Sequence, residues 1–176
     1  MAVLSRRSCA FCDIVTGRQR TSLVFQDADT LAFLDLRQFH PGHTLVIPRE
    51  HVRDIRAVDD KTAMALVVTV AYVARAVATV FPADGLSVWH SAGEGAGQEV
   101  PYLHFHVHPR RIGDDVLRVY PAAPPLPPRK DLDAWASRLR QALLKPARSS
   151  RLIPLIASKR MRPARVGRST TARLRS

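Results

Sequence analysis

Four ring-bearing side chains stand at alternate positions in Tyr102-Leu-His-Phe-His-Val-His108. A β-strand sends successive side chains to opposite faces, so Tyr102, His104, His106 and His108 would share one face. Leu103, Phe105 and Val107 would share the other and enter a core. A solvated strand face would more economically carry threonine or lysine, and buried imidazoles are costly unless hydrogen-bonded. Two functional uses fit such a row. One is a metal site built from the histidines. The other is phosphoryl or nucleotidyl transfer. A neutral imidazole carries a nucleophilic lone pair near pH 7, and a neighbouring imidazole can hold phosphate oxygen or protonate a leaving group. The preceding Gly93-Glu-Gly-Ala-Gly97 and Gln98 favour transfer, because a glycine-rich loop offers backbone N–H groups to phosphate.

The surrounding sequence supplies elements to position this row. Leu23–Gln26 and Thr30–Leu36 read as strands around an Asp27-Ala-Asp29 turn. His43–Ile47 is a strand entered through Pro41-Gly42 and stopped by Pro48. Asp59 or Asp60 can cap a long helix reaching about Phe81. Leu86–His90 and Val100–Pro109 complete the strands. Strands on both sides of one helix, with short connections, predict an antiparallel α+β sheet.

Three parts follow from composition. Residues 1–120 hold the periodic signal and read as one α+β domain. Residues 121–145 combine a proline-rich linker, Pro121–Pro128, with a short amphipathic helix over Asp131–Leu144. Residues 146–176 read as a basic, disordered tail. Of the 27 basic residues, ten lie from Lys145 onward with no acid among them, leaving 17 basic against 15 acidic residues before it. The charge therefore belongs to the tail, where weak, salt-sensitive contact with nucleic acid or another polyanion is expected. The apolar stretch Ala63–Phe81 contains Arg75 and reads as a buried helix, not a membrane span. No apolar run follows Arg6-Arg7, so a cytoplasmic location is expected. Two cysteines, Cys9 and Cys12, exclude a disulfide scaffold and have metal-ligand spacing.

From Cys9 to Arg110 the chain resembles the histidine-triad superfamily, and within it the branch of small bacterial nucleotide-binding members. The resemblance rests on Cys9-Ala-Phe-Cys-Asp-Ile-Val-Thr-Gly17, Leu31-Ala-Phe-Leu-Asp-Leu36, Pro41-Gly-His-Thr-Leu-Val-Ile-Pro-Arg-Glu-His51, and Gly97-Gln98 through Pro109-Arg110. It implies a five-stranded antiparallel sheet with one main helix, paired as a homodimer, and no cofactor for catalysis. A triad at 104, 106 and 108 would make His106 the middle member. Anchoring on Gln98 and on Pro109-Arg110 instead places it at 102, 104 and 106 without an insertion. Tyr102 then stands where the family has its first histidine.

In that register the resemblance implies His104 as the nucleophile that forms a nucleotidyl-histidine. His106 would contact phosphate and assist the leaving group, and His43 would support the network. Gln98 would contact phosphate or the bridging oxygen. Asp35 would hold the ribose hydroxyls, and Phe11, Ile14, Phe33 and Leu36 would wall the base. Asp35 also reads as a turn residue, and the four apolar residues as core. Related bacterial proteins complete a structural zinc site from Cys9, Cys12, His51 and the first triad position. Here Tyr102 is a poor ligand beside thiolate and imidazole, which leaves water, Tyr102 or a shifted histidine as the fourth ligand, or no metal and two packed cysteines. The implied activity is hydrolysis or transfer at a nucleotide α-phosphate, from phosphoramidates, nucleotidyl adducts or dinucleoside polyphosphates. Alternatives are a slow nucleotide-binding scaffold, and a nucleic-acid-associated enzyme acting on adenylylated ends.

Overall fold

The computed structural model describes residues 9–116, 124 and 126–144. The chain divides into two units, Met1–Leu126 and Pro127–Ser176. The first carries α1 (Ala10–Val15), β1 (Leu23–Gln26), β2 (Thr30–Leu34), β3 (Thr44–Pro48), α2 (Asp60–Val80), β4 (Gly85–Trp89) and β5 (Phe105–Arg110). The described part of the second is the helix α3 (Arg129–Leu144), which contains the predicted Asp131–Leu144 segment. The proposed tail, and most of the proline-rich linker before Pro124, lie outside the described residues.

The strands form one antiparallel five-stranded sheet in the order β1-β2-β3-β5-β4. Two apolar clusters cover its two faces. Ala32, Val46, Leu103 and Val107 pack with Leu66, Val70, Val73 and Val77 of α2. On the opposite face Leu31, Phe33, Leu45, Ile47 and Tyr102 pack around Phe11 of α1. This double cover explains why Leu31-Ala-Phe and Leu45-Val-Ile are unbroken apolar runs; a strand buried on both faces has no solvent side to mark with polar residues.

α2 begins where Asp59 accepts the backbone N–H of Thr62 at 2.9 Å. The helix is 21 residues long with a hydropathy of 1.9, enough in length and composition to cross a membrane. It packs on the sheet through one face only. Met64, Val67, Val68 and Tyr72 are half exposed or more, so the expectation of a buried helix holds for one face only: a second apolar face is left uncovered among the described residues.

Two predicted strand boundaries also shift by two residues or more, and others by one. β2 ends at Leu34, because Asp35 Oδ1 accepts the Arg37 N–H at 2.8 Å and turns the chain. β5 begins at Phe105 rather than Val100. Ahead of it, Leu103 donates to the Val52 carbonyl at 2.6 Å and Tyr102 to the Val100 carbonyl at 2.8 Å, so Val100–His104 is held outside the ladder. The alternation of faces persists through this stretch, since Tyr102 and Leu103 enter opposite clusters.

Candidate active site

β3 and β5 pair antiparallel, with Thr44 opposite Val107 and Leu45 opposite His106. This register brings His43, at the entrance of β3, beside His106. Their Nε2 and Nδ1 atoms lie 2.9 Å apart. His43 Nδ1 lies 3.0 Å from the Arg37 carbonyl, which can only accept, so His43 donates there. In neutral His43 the remaining Nε2 must accept, and His106 donates from Nδ1. His106 Nε2 then carries a lone pair.

The same reasoning fixes His104. Its Nδ1 lies 2.6 Å from the Tyr102 carbonyl and donates to it, which leaves Nε2 as the basic nitrogen. The His104 and His106 rings are 4.9 Å apart. Burial lowers the pKa of His104 from its ordinary value. Burial, with His104 and His43 close by, takes His106 down to about 3. Both rings are therefore neutral near pH 7 and hold nucleophilic nitrogens.

His104 and His106 line a cavity of about 360 Å³. Phe11, Ile14, Phe33, Asp35 and Leu36 line it as well. Phe11 sits edge-on to both Phe33 and His104, at 5.6 and 5.4 Å. Leu36 is 94% exposed, so it can only be a rim residue. Asp35 makes its turn through Oδ1, while Oδ2 lies 3.9 Å from His43 Nδ1. The turn reading and the cavity-lining reading of Asp35 hold together. An apolar end, a carboxylate and two basic imidazole nitrogens in one cleft suit a ligand with an apolar planar group, hydroxyls and a phosphate.

The family model described as the HIT domain matches residues 16–113. That span is more than half of the chain. The chain belongs to the HIT family. Among its relatives, the Bacillus subtilis protein called Protein hit is 39% identical over 103 residues, which are 58% of this chain and 71% of that one. The crystal structure of SMU.412c from Streptococcus mutans superposes with a TM-score of 0.73 at 36% identity, covering 79% of this chain and 87% of that one. A HIT family member from Bacillus subtilis gives 0.73 at 33%, covering 81% and 100%. HIT proteins are generally nucleotide-binding hydrolases or transferases.

Not every residue singled out from the sequence faces the HIT cavity. Gln98 braces its loop: Oε1 accepts from Gly93 N at 2.7 Å, and Nε2 donates to the Arg53 carbonyl at 2.8 Å. Within that loop Gly93, Ala96, Gly97 and Gln98 already direct their N–H groups to loop acceptors. The expected open cradle of amides is thus largely closed on itself. His108 is 1% exposed and sits edge-on to His43 at 4.7 Å, and neither of its ring nitrogens has a partner among the described residues.

Trp89, Ser91, Arg37 and Glu99 are among the cavity residues missed from the sequence. Arg37 makes two hydrogen bonds of 3.0 Å to Glu99 across 62 positions of chain, joining the β2–β3 turn to the segment before β5. The signal for Trp89 was its place in β4, which matters only once β4 is paired with β5.

Cys9 stands just before α1 and Cys12 lies within it. Metal-binding atoms of Cys9, Cys12 and His51 all fall within 4.8 Å of one another, with Cys12 Sγ 3.0 Å from His51 Nδ1. Tyr102 is fully buried, and its hydroxyl donates to the Pro48 carbonyl at 2.6 Å. Burial first, then the two thiols, raises its pKa beyond the ordinary phenol range, so it stays protonated. Two thiols and an imidazole fit zinc, and the Tyr102 hydroxyl is committed to the Pro48 carbonyl. Asp35, His43 and His106 also converge. There the two imidazoles face each other through a shared hydrogen, which opposes a metal site built from the histidine row.

Proposed function

We propose that this HIT chain cleaves a nucleotide at its α-phosphate through a nucleotidyl-histidine intermediate on His104. The observation that carries the reading is the fixed tautomer of His104, whose Nδ1 is tied to the Tyr102 carbonyl while Nε2 is basic beside the cavity. In the first step His104 Nε2 bonds to phosphorus, the bond from phosphorus to the leaving group breaks, and the leaving group takes a proton. That proton comes from the His43–His106 pair when the pair carries one in excess, with Nε2–H of His106 as donor. In the second step a water gives its proton back to His106 Nε2 and its oxygen displaces His104. The cycle returns both rings to their starting state. Phe11 and Phe33 would hold the base and Asp35 the ribose. Phosphoramidates, nucleotidyl adducts and dinucleoside polyphosphates all fit this sequence of steps, and turnover across the three classes tests it. A slow binding protein would bind the nucleotide and fail to turn over any of them.

Cys9, Cys12 and His51 would hold a structural zinc that ties α1 to the chain after β3. We expect Cys12→Ser to remove bound zinc in elemental analysis and to lower the melting temperature, while most turnover remains. Equal zinc content in the variant and the parent would exclude these residues as the site.

The uncovered face of α2 supports a homodimer, as does the open edge of β4. Met64, Val68 and Tyr72 fall on one side of the helix, and Val88 is exposed on the edge strand. Placing a carboxylate in an apolar contact leaves an unpaired buried charge. Tyr72→Glu is therefore expected to convert a dimer to a monomer in light scattering after size exclusion. A parent that is already monomeric at micromolar concentration would refute the pairing.

A further inference from the structure

Trp89 stands directly opposite His106 in the β4–β5 ladder. Its indole lies flat on the His106 ring, with centroids 4.3 Å apart and planes 3° from parallel. It also faces His43 at 5.7 Å and 27°. One indole therefore overlies both imidazoles that share the hydrogen bond between His43 Nε2 and His106 Nδ1.

We propose that Trp89 is a positioning residue for leaving-group departure, holding the plane of His106 and favouring the protonated form of the His43–His106 pair. The inference rests on the mechanism proposed above. An aromatic face attracts a cation placed over it, and the attraction grows when the pair is desolvated. A neutral imidazole gains much less from the same contact. The indole therefore stabilises the state that donates a proton over the state that does not.

The need for such help is visible in the surroundings. Burial opposes the charge on His106, and so do the neighbouring groups His104 of the same segment, His43 at the entrance of β3, Arg37 after β2 and His90 after β4. His108, two positions along β5, adds a further imidazole facing His43. Among the groups close to the pair, Asp35 is the carboxylate, with Oδ2 3.9 Å from His43 Nδ1. An uncharged aromatic face is a way to favour the imidazolium without fixing an anion next to the incoming phosphate.

The mechanism makes a selective demand. An amine leaving group must be protonated as it departs, whereas p-nitrophenolate leaves as the anion. For adenosine phosphoramidate, Trp89→Leu is expected to lower kcat about tenfold with KM little changed, and Trp89→Phe to recover most of it. For the p-nitrophenyl ester of AMP, where only the first step escapes the proton donor, the rate of the p-nitrophenolate burst should stay within about twofold of the parent in both variants. Equal losses on the two substrates would reduce Trp89 to a structural residue and overturn the proposal.

A second readout needs no turnover. In protein labelled with 15N-histidine, long-range proton–nitrogen spectra follow the tautomer and protonation of His106, both ligand-free and with AMP added. Trp89→Leu should move the acid-side midpoint of the pair down by about 0.5–1 pH unit. Superposable titrations of parent and variant, including no protonation in either while the fold persists, would overturn the proposal even in an active enzyme. A shifted midpoint in a protein that turns over neither substrate would leave Trp89 in place and count against the nucleotidyl-transfer reading instead.

Discussion

His104→Ala is expected to lower turnover of any accepted nucleotide substrate by at least about 10³-fold, with the fold intact. The variant loses the nitrogen that bonds to phosphorus, and no other described group offers a basic nitrogen in the same place. His106 Nε2 is the nearest alternative, but its partner His43 and the overlying Trp89 commit it to the proton. His108→Leu makes the informative contrast. Its ring is buried, and neither nitrogen has a hydrogen-bond partner among the described residues. Replacing it with an apolar side chain removes an unsatisfied polar group, so stability should rise by about 1 kcal/mol and turnover should persist. Steady-state kinetics with thermal melts on both variants check the pair. A His108→Leu enzyme as dead as His104→Ala would move the triad two residues along β5.

Much of this site could be read from residue order. The alternation from Tyr102 to His108 fixed the two faces correctly, because a period of two survives even where the ladder has not yet begun. The helix cap at Asp59 was equally local, whereas Pro48, expected to stop β3, is its last paired residue. What could not be read depended on pairing across long stretches of chain. Trp89 acquires its meaning from the residue opposite it in β5, and Arg37 from Glu99, 62 positions away. α1 has six residues, too few for a helical period to show, yet its Phe11 closes one face of the sheet and one wall of the cavity. The glycine-rich loop misled in the other direction: its composition suggested amides open to phosphate, and the fold turns four of them inward.

Gly42→Ala should be the most damaging substitution outside the chemistry. Gly42 has φ +105, which L side chains rarely adopt, and an added Cβ would lie 2.5–2.9 Å from the ring of Phe81. The backbone strain alone is on the order of 1–3 kcal/mol, and forcing a packed ring aside adds a similar amount, so a loss of about 2–5 kcal/mol is expected. The damage would reach the site. Gln38 Oε1 accepts from both Gly42 N and His43 N, at 2.8 and 3.1 Å, so displacing this turn displaces His43. Turnover should fall about tenfold beyond any unfolding. Gly85→Ala is the control: nothing lies within 4 Å of its added Cβ, and it should be neutral within about 0.5 kcal/mol. Chemical denaturation of both variants decides the point. Equal stability would mean that Phe81 yields without cost.

The central claim is a covalent bond between His104 and the nucleotide. Rapid acid-free quenching during turnover of adenosine phosphoramidate, followed by peptide mapping in the mass spectrometer, reads that bond directly. The account predicts a nucleoside monophosphate on His104 Nε2 that forms and decays at rates compatible with turnover, and none on His106 or His108. An adduct on either of those histidines, or full turnover with no adduct on any residue, would contradict it.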